Sequence, residues 1–116
     1  YIVDRRKDMV ISGGENIYPV EIEDFLMTHP KILDAGVIGL SDNRLGEIAA
    51  AIISIKEGMD ISLDEISTYC EKLAKYKRPR HIIFDDVPRN PTGKIEKPLL
   101  RKKYSGKTGY FNRNSN

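Results

Sequence analysis

Residues 47–55 constrain the fold most strongly, because they form a nearly continuous apolar run that is typical of a well-buried strand. Residues 31–40 alternate weakly between apolar and polar positions and are rich in Ile and Val, which predicts a second strand. The turn-forming cluster 41–46 separates the two. Residues 81–84 predict a third strand, either central or paired beside the first two. The sequence therefore predicts a three-stranded sheet.

One helix is expected before these strands and another between the second and the third strand. Pro19 suits the first position of a helix, and Pro30 ends the apolar pattern that follows it. Ser62 and Glu65 have the spacing of a capping box, which predicts a second helix. The apolar faces of these two helices are Ile22, Phe25 and Leu26 in the first, and Ile66, Tyr69, Cys70 and Leu73 in the second.

Both ends of the folded part add short elements. Residues 1–3 and 9–11 favour strands around a charged turn, which predicts an N-terminal β-hairpin. Because the chain begins in what reads as the middle of a strand, we expect it to be part of a longer protein. Leu99 and Leu100 are expected to dock a short last helix. The predicted fold is a small α+β domain with an N-terminal hairpin and a three-stranded sheet packed by two to three helices.

The formal net charge of +2 is unevenly distributed along the chain. Residues 97–116 hold six basic and no acidic side chains, which leaves a charge of about −4 on residues 1–96. We expect a folded domain over residues 1–103 and a basic, disordered tail over residues 104–116.

Cysteine content and hydropathy bound the cellular context. The single cysteine, Cys70, excludes an internal disulfide framework, and its apolar helical neighbours favour a packing role. No signal-like segment opens the chain, and the longest apolar run, residues 48–53, is far shorter than a membrane span. The sequence therefore predicts a cytoplasmic protein without a membrane span.

Three motifs carry chemical information. The loop at residues 88–94 contains Pro91 and Gly93, which turn the backbone and present Lys94 as a movable cation. Its Thr-Gly-Lys order does not make a phosphate-binding P-loop, because the earlier glycine of that motif is missing. The other two motifs are the charged run 4–8 and the Gly-Gly-Glu-Asn-Ile-Tyr-Pro run at residues 13–19.

Taken in this order, the three motifs resemble the C-terminal domain of the adenylate-forming enzymes, which include acyl-CoA synthetases, peptide-synthetase adenylation domains and luciferases. The resemblance covers residues 1 to about 103, and the run at 13–19 is most similar to acyl- or aryl-CoA ligases. It implies a ligase that joins a carboxylic acid to AMP and then transfers the acyl group to CoA. A large N-terminal domain, absent here, would bind ATP, Mg²⁺ and the acid, so this chain alone is expected to be inactive.

The resemblance also implies roles for individual residues of a rotating lid. Lys94 matches the catalytic lysine of adenylation, which also contacts ATP or AMP. Arg5 matches an arginine that binds the nucleotide, and Lys7 matches the hinge. Leu45 stands where some relatives have an aromatic residue for the base of CoA. The residues that match the CoA or thioester face are Gly13, Gly14, Glu15, Tyr76, Arg78 and Arg80. No metal ligand is implied in this chain.

Two other functions stay open on the sequence alone. Tyr104, Tyr110 and Phe111 lie among the basic residues of the tail, as in some nucleic-acid or anionic-surface binders. The folded part is net acidic and contains no nucleic-acid motif, so the main prediction includes no nucleic-acid partner. The chain would alternatively be a non-catalytic interaction module that keeps the lid fold. The sequence specifies neither the acid nor the acceptor thiol, CoA or a carrier protein.

Overall fold

The computed structural model describes residues 9–104. Its hairpin, sheet and helices follow one another in the order that the sequence predicts. The elements are β1 (Val10–Ser12), β2 (Glu15–Ile17), α1 (Pro19–Met27), β3 (Ile32–Asp42), β4 (Gly46–Ile55), α2 (Leu63–Cys70), a 3₁₀ turn (Lys75–Lys77), β5 (His81–Phe84) and α3 (Lys97–Tyr104).

The sheet is built around β4. The long strand β3 pairs antiparallel along one edge of β4, from Ile32 opposite Ile55 to Asp42 opposite Gly46. The short strand β5 pairs parallel along the other edge. Gly46 also pairs with Ser12 of β1, so the hairpin and β5 follow one another along that second edge. The predicted α+β fold is confirmed, with the hairpin joined to the three-stranded sheet.

Both faces of the sheet are covered, which explains the apolar run in β4. Ala49, Ala51 and Ile53 face a core formed with α1 and α2, whereas Ile48 and Ile52 face a second core formed with α3. A strand in this position needs apolar side chains on both sides. The second core also receives Val87 and Ile95, which flank the Lys94 loop.

The described hairpin joins β1 to β2, and the hairpin predicted between residues 1–3 and 9–11 stays a prediction. Strand β1 pairs with β2, with Val10 opposite Ile17, and residues 1–3 lie outside the described part of the chain. Gly13 and Gly14 form the connection at φ values of 58° and 85°. Two consecutive residues at positive φ match the twist of a tight hairpin, and glycine adopts such angles with little strain.

The helices largely follow the predicted signals. Ser62 Oγ accepts a hydrogen bond from the Glu65 N–H at 3.1 Å, which confirms the cap of α2. The Glu65 carboxylate contacts Lys31 at 3.2 Å. Of the two leucines expected to dock α3, Leu100 is buried and Leu99 is 54% exposed, because neighbouring helical residues point about 100° apart. The sequence predicts that Tyr104 begins the tail, but it is the buried last residue of α3.

Candidate functional site

A cleft of about 430 Å³ opens beside the hairpin turn. It brings together two segments that are some sixty residues apart in the sequence, the glycine turn and the basic segment after α2. Five of the six residues that the resemblance places on the CoA face line it, and Gly14 lies between two of them. The lining residues are Ser12, Gly13, Glu15, Ile17, Leu45, Ala49, Lys75, Tyr76, Arg78 and Arg80.

One wall of the cleft is set by Gly13 and Leu45. The Gly13 N–H donates to the Leu45 carbonyl at 2.9 Å, and a Cβ at position 13 would lie 3.1 Å from Leu45 Cδ2. Asp42 shapes the turn before Leu45 by accepting the N–H groups of Arg44 and Leu45 at 3.0 and 2.8 Å. The bond from Leu45 is the main reason why the pKa of Asp42 lies below its usual value. Gly13 and Leu45 therefore pack closely, and Asp42 holds the turn that leads to Leu45.

The opposite wall is the segment 75–80, which is attached to three elements. Arg78 donates from Nε to the Leu73 carbonyl at 3.1 Å and from Nη2 to the Glu71 carbonyl at 3.0 Å. Lys77 pairs with Glu21 of α1 at 2.6 Å. The Arg80 N–H donates to Ala49 of β4 at 2.8 Å. Arg78 thus binds the backbone carbonyls that follow α2, and it also lines the cleft.

The cleft suits an anion that also carries an aromatic or planar group, because it combines positive charge with an exposed aromatic ring. Lys75, Arg78 and Arg80 contribute three positive charges, and Glu15 contributes one negative charge. Tyr76 is 45% exposed at the same wall, which makes its ring available for stacking. The resemblance assigns no role to Lys75, although it belongs to the same basic run.

The Lys94 loop is shaped by hydrogen bonds within itself. Asn90 Oδ1 accepts the N–H groups of Thr92 and Lys94 at 3.0 and 2.9 Å, and the Thr92 hydroxyl at 2.7 Å. The Asn90 N–H donates to the Lys94 carbonyl at 2.9 Å. Gly93 has a φ of 93°, which confirms the conformation expected for it. The loop therefore presents an exposed Lys94 on a defined backbone.

Two ion pairs lie on either side of this loop, one to the sheet and one to α1. Arg89 donates from Nε and Nη2 to the two carboxylate oxygens of Asp34 on β3, both at 2.7 Å. On the other side of the loop, Lys97 Nζ lies 2.7 Å from Glu23 of α1, and both side chains are nearly buried. Sequence reasoning missed both pairs. The available signal for the first pair was that Asp34 is an acidic residue within the otherwise apolar start of β3, whereas Glu23 lies beside Glu21 and Asp24 and gave no such signal.

The cleft and the lysine loop lie at different edges of the sheet. The cleft borders β1 and β2, on the edge of β4 that also carries β5, whereas Arg89 attaches the loop to β3 on the other edge. Lys94 is not among the residues that line the cleft. Arg5 and Lys7, assigned to the nucleotide and the hinge, lie outside the described residues.

Two absences concern residues 9–104 only. Within this range no group of three or more His, Cys, Asp and Glu side chains is arranged to hold a metal ion. No helix in the same part of the chain is long and apolar enough to cross a membrane.

Comparison with known proteins gives consistent matches. Residues 21–94 match the model of the AMP-binding enzyme C-terminal domain. The chain is 52% identical over 110 residues to a mitochondrial medium-chain acyl-CoA ligase, ACSF2 of Danio rerio, covering 93% of this chain and 18% of that protein.

Solved structures agree in both fold and sequence. A fatty acyl CoA synthetase of Mycobacterium tuberculosis superposes with a TM-score of 0.79 at 50% identity, over 84% of this chain and 20% of that one. ATP-bound MatB from Rhodopseudomonas palustris gives a TM-score of 0.80 at 38% identity, over 85% and 20% of the two chains. The chain thus spans about a fifth of the length of these relatives.

Proposed function

This chain belongs to the AMP-binding enzyme C-terminal domain family, and from that membership we propose that it is the mobile lid of an AMP-forming acyl-CoA ligase. The complete enzyme activates a carboxylic acid with ATP as an acyl-adenylate and then transfers the acyl group to CoA. The N-terminal remainder of the enzyme supplies most of the site for ATP, Mg²⁺ and the acid. Because the lid lacks that site, we expect this chain alone to be inactive.

The observation that carries this proposal is the separation of two differently built surfaces on one small domain. The cationic cleft joins the glycine turn to Tyr76, and the exposed Lys94 stands on a loop attached to the far edge of the sheet. A lid that serves two half-reactions needs one surface for each. The arrangement therefore supports a change of orientation between adenylation and thioester formation.

Lys94 serves the first half-reaction. Its ammonium group bridges the acid's carboxylate and the α-phosphate of ATP, two anions that repel one another in solution. Holding them together and stabilising the charge of the transition state lowers the barrier. Arg5 assists by binding the nucleotide, and Lys7 provides the hinge.

The cleft serves the second half-reaction. The glycine turn leaves room for the thiol-bearing arm of CoA, since neither glycine projects a Cβ into the opening. Lys75 and Arg80 attract the phosphates of CoA, and Tyr76 stacks on its base. Leu45 gives the cleft an apolar wall where some relatives have an aromatic residue.

The test measures both half-reactions separately in the full-length enzyme. We expect Lys94→Ala to slow pyrophosphate release by about 10²- to 10³-fold, or about 3 to 4 kcal/mol in barrier height. Thioester formation from supplied acyl-adenylate should change little. Lys56→Ala, which removes another exposed lysine in a turn, is the matched control and should leave both steps intact. Equal slowing of both steps by Lys94→Ala would refute the two-surface lid.

A further inference from the structure

We propose that Arg89 and Asp34 are positioning residues that hold the Lys94 loop in its adenylation-competent shape. This inference rests on the proposed role of Lys94 in adenylation. It assigns to a residue pair far from the cleft a specific part in one half-reaction only.

The contacts of Arg89 join the strand to the loop at the position before Lys94. Its Nε and Nη2 bind both oxygens of Asp34 at 2.7 Å, which is a bidentate pair. Its Nη1 donates to the carbonyl of Gly93. One rigid guanidinium plane therefore fixes the peptide that leads into Lys94 relative to β3.

A β-bulge lets Ile32 and Asp34 occupy opposite faces of the sheet. The pairing of β3 with β4 shifts between Ile32 and Asp34, so that one extra residue is inserted there. Ile32 consequently packs in the core under α1 and α2 with Ala35. Asp34 follows the alternation of Gly36 and lies toward the face that the loop crosses. A strand without this bulge would put Ile32 and Asp34 on the same face.

Close packing of the loop supports the same geometry. A Cβ on Gly36, two residues after Asp34, would lie 3.4 Å from Val87 and 3.5 Å from Ile95. The segments on either side of Lys94 therefore approach β3 closely. The acidic partner of Arg89 within the domain is Asp34, and the hydrogen bonds to that carboxylate hold the pKa of the Arg89 guanidinium above its usual value. Its three engaged donor nitrogens leave it suited to hold the loop and poorly suited to bind substrate.

The experiment uses Arg89→Met, Asp34→Asn and Lys94→Ala in the full-length enzyme, singly and as pairs with Lys94→Ala. We expect Arg89→Met to lower kcat for pyrophosphate release by about 10- to 100-fold, the cost of a misplaced catalytic group. The KM for ATP and the rate of thioester formation from supplied acyl-adenylate should change less than about twofold. Asp34→Asn should have a smaller effect of the same kind.

The double variants identify how Arg89 acts. A residue that works only through Lys94 has nothing further to lose once that lysine is absent, so adding Arg89→Met to Lys94→Ala should cause no additional loss. Lys103→Met removes a different ion pair, with Asp85 at 2.5 Å, and should leave both half-reactions unchanged.

Each contrary outcome has one meaning. A full additional loss in the Lys94→Ala background would show that Arg89 contacts the reactants itself, which overturns the positioning role. A harmless Arg89→Met beside a severe Lys94→Ala would overturn this inference and leave the proposed function standing. A harmless Lys94→Ala would overturn both. If Arg89→Met does not fold, the same criteria apply to Asp34→Asn, which is isosteric and keeps an oxygen for Arg89.

Discussion

Asn90 and Lys94 exchange two hydrogen bonds across the turn between them. The Asn90 N–H donates to the Lys94 carbonyl, and the Lys94 N–H donates to Asn90 Oδ1, both at 2.9 Å. The side-chain amide thereby reinforces a turn that the backbone also closes, through the Gly93 N–H donating to the Asn90 carbonyl at 2.9 Å. The shape of the lysine loop is therefore encoded locally, and its attachment to the sheet is a separate, tertiary feature.

Asn90→Ala should reduce adenylation in the full-length enzyme by about tenfold, because it removes the oxygen that accepts three hydrogen bonds and so loosens the backbone of Lys94. Asn90→Asp keeps that acceptor and should retain most activity. The control is Asn43→Ala, at an exposed turn position between β3 and β4. Pyrophosphate release measures the effect. A loss from Asn90→Asp as large as that from Asn90→Ala would contradict this explanation.

Gly14→Leu should impair thioester formation while adenylation proceeds. Gly14 has a φ of 85° beside the cleft, and Gly58 has a φ of 79° in a turn that does not line it. A Cβ added at either glycine would meet nothing within 4 Å beyond its neighbours in the chain. Both substitutions therefore introduce similar backbone strain of about 1 to 3 kcal/mol.

Gly58→Leu is the control for that strain. We expect only Gly14→Leu to slow acyl transfer from supplied acyl-adenylate to CoA, because only its side chain occupies the approach to the cleft. Circular dichroism should show both variants folded. Similar transfer rates in the two variants would remove Gly14 from the CoA face.

Lys97→Met should lower the free energy of unfolding of the 116-residue chain by about 3 kcal/mol, because it leaves the Glu23 carboxylate buried without its cation. The Glu23 carboxylate also accepts the Val37 N–H at 2.9 Å. Replacing Glu23 by Gln in the same variant removes the buried charge and should recover part of the loss. Urea denaturation followed by circular dichroism measures each value.

Lys77→Met provides the matched comparison, since it breaks the more exposed pair with Glu21. Such pairs contribute at most about 1 kcal/mol. A cost for Lys97→Met no greater than that for Lys77→Met would show that burial does not make the Glu23 pair important.

Cys70 should resist alkylation in the native chain. Burial raises the pKa of its thiol to about 11, against the opposing positive charge of Arg78, so very little thiolate is present near neutral pH. Iodoacetamide at about pH 8 should label the chain only after it is unfolded in denaturant. Rapid stoichiometric labelling of the folded chain, measured by mass spectrometry, would contradict the packing role.

The sequence by itself determined the elements and the family. The apolar run of β4, the Pro19 start of α1 and the Ser62 cap of α2 are local signals, and each was confirmed because its cause lies within a few residues. The motifs around the glycine turn and Lys94 identified the family, and Asn90 and Gly93 are enough to explain the turn at that lysine. The roles of the site residues remain predictions.

Only the tertiary structure decided which residues meet. No local pattern shows that Arg89 binds Asp34, since the two are 55 residues apart and the pairing register of β3 with β4 decides which face Asp34 occupies. The sequence assigns Tyr104 to the tail, but its ring is buried in the core beneath α3. Local propensity depends on nearby residues, whereas pairing, burial and ion pairs depend on surfaces that come together only when the whole sheet forms.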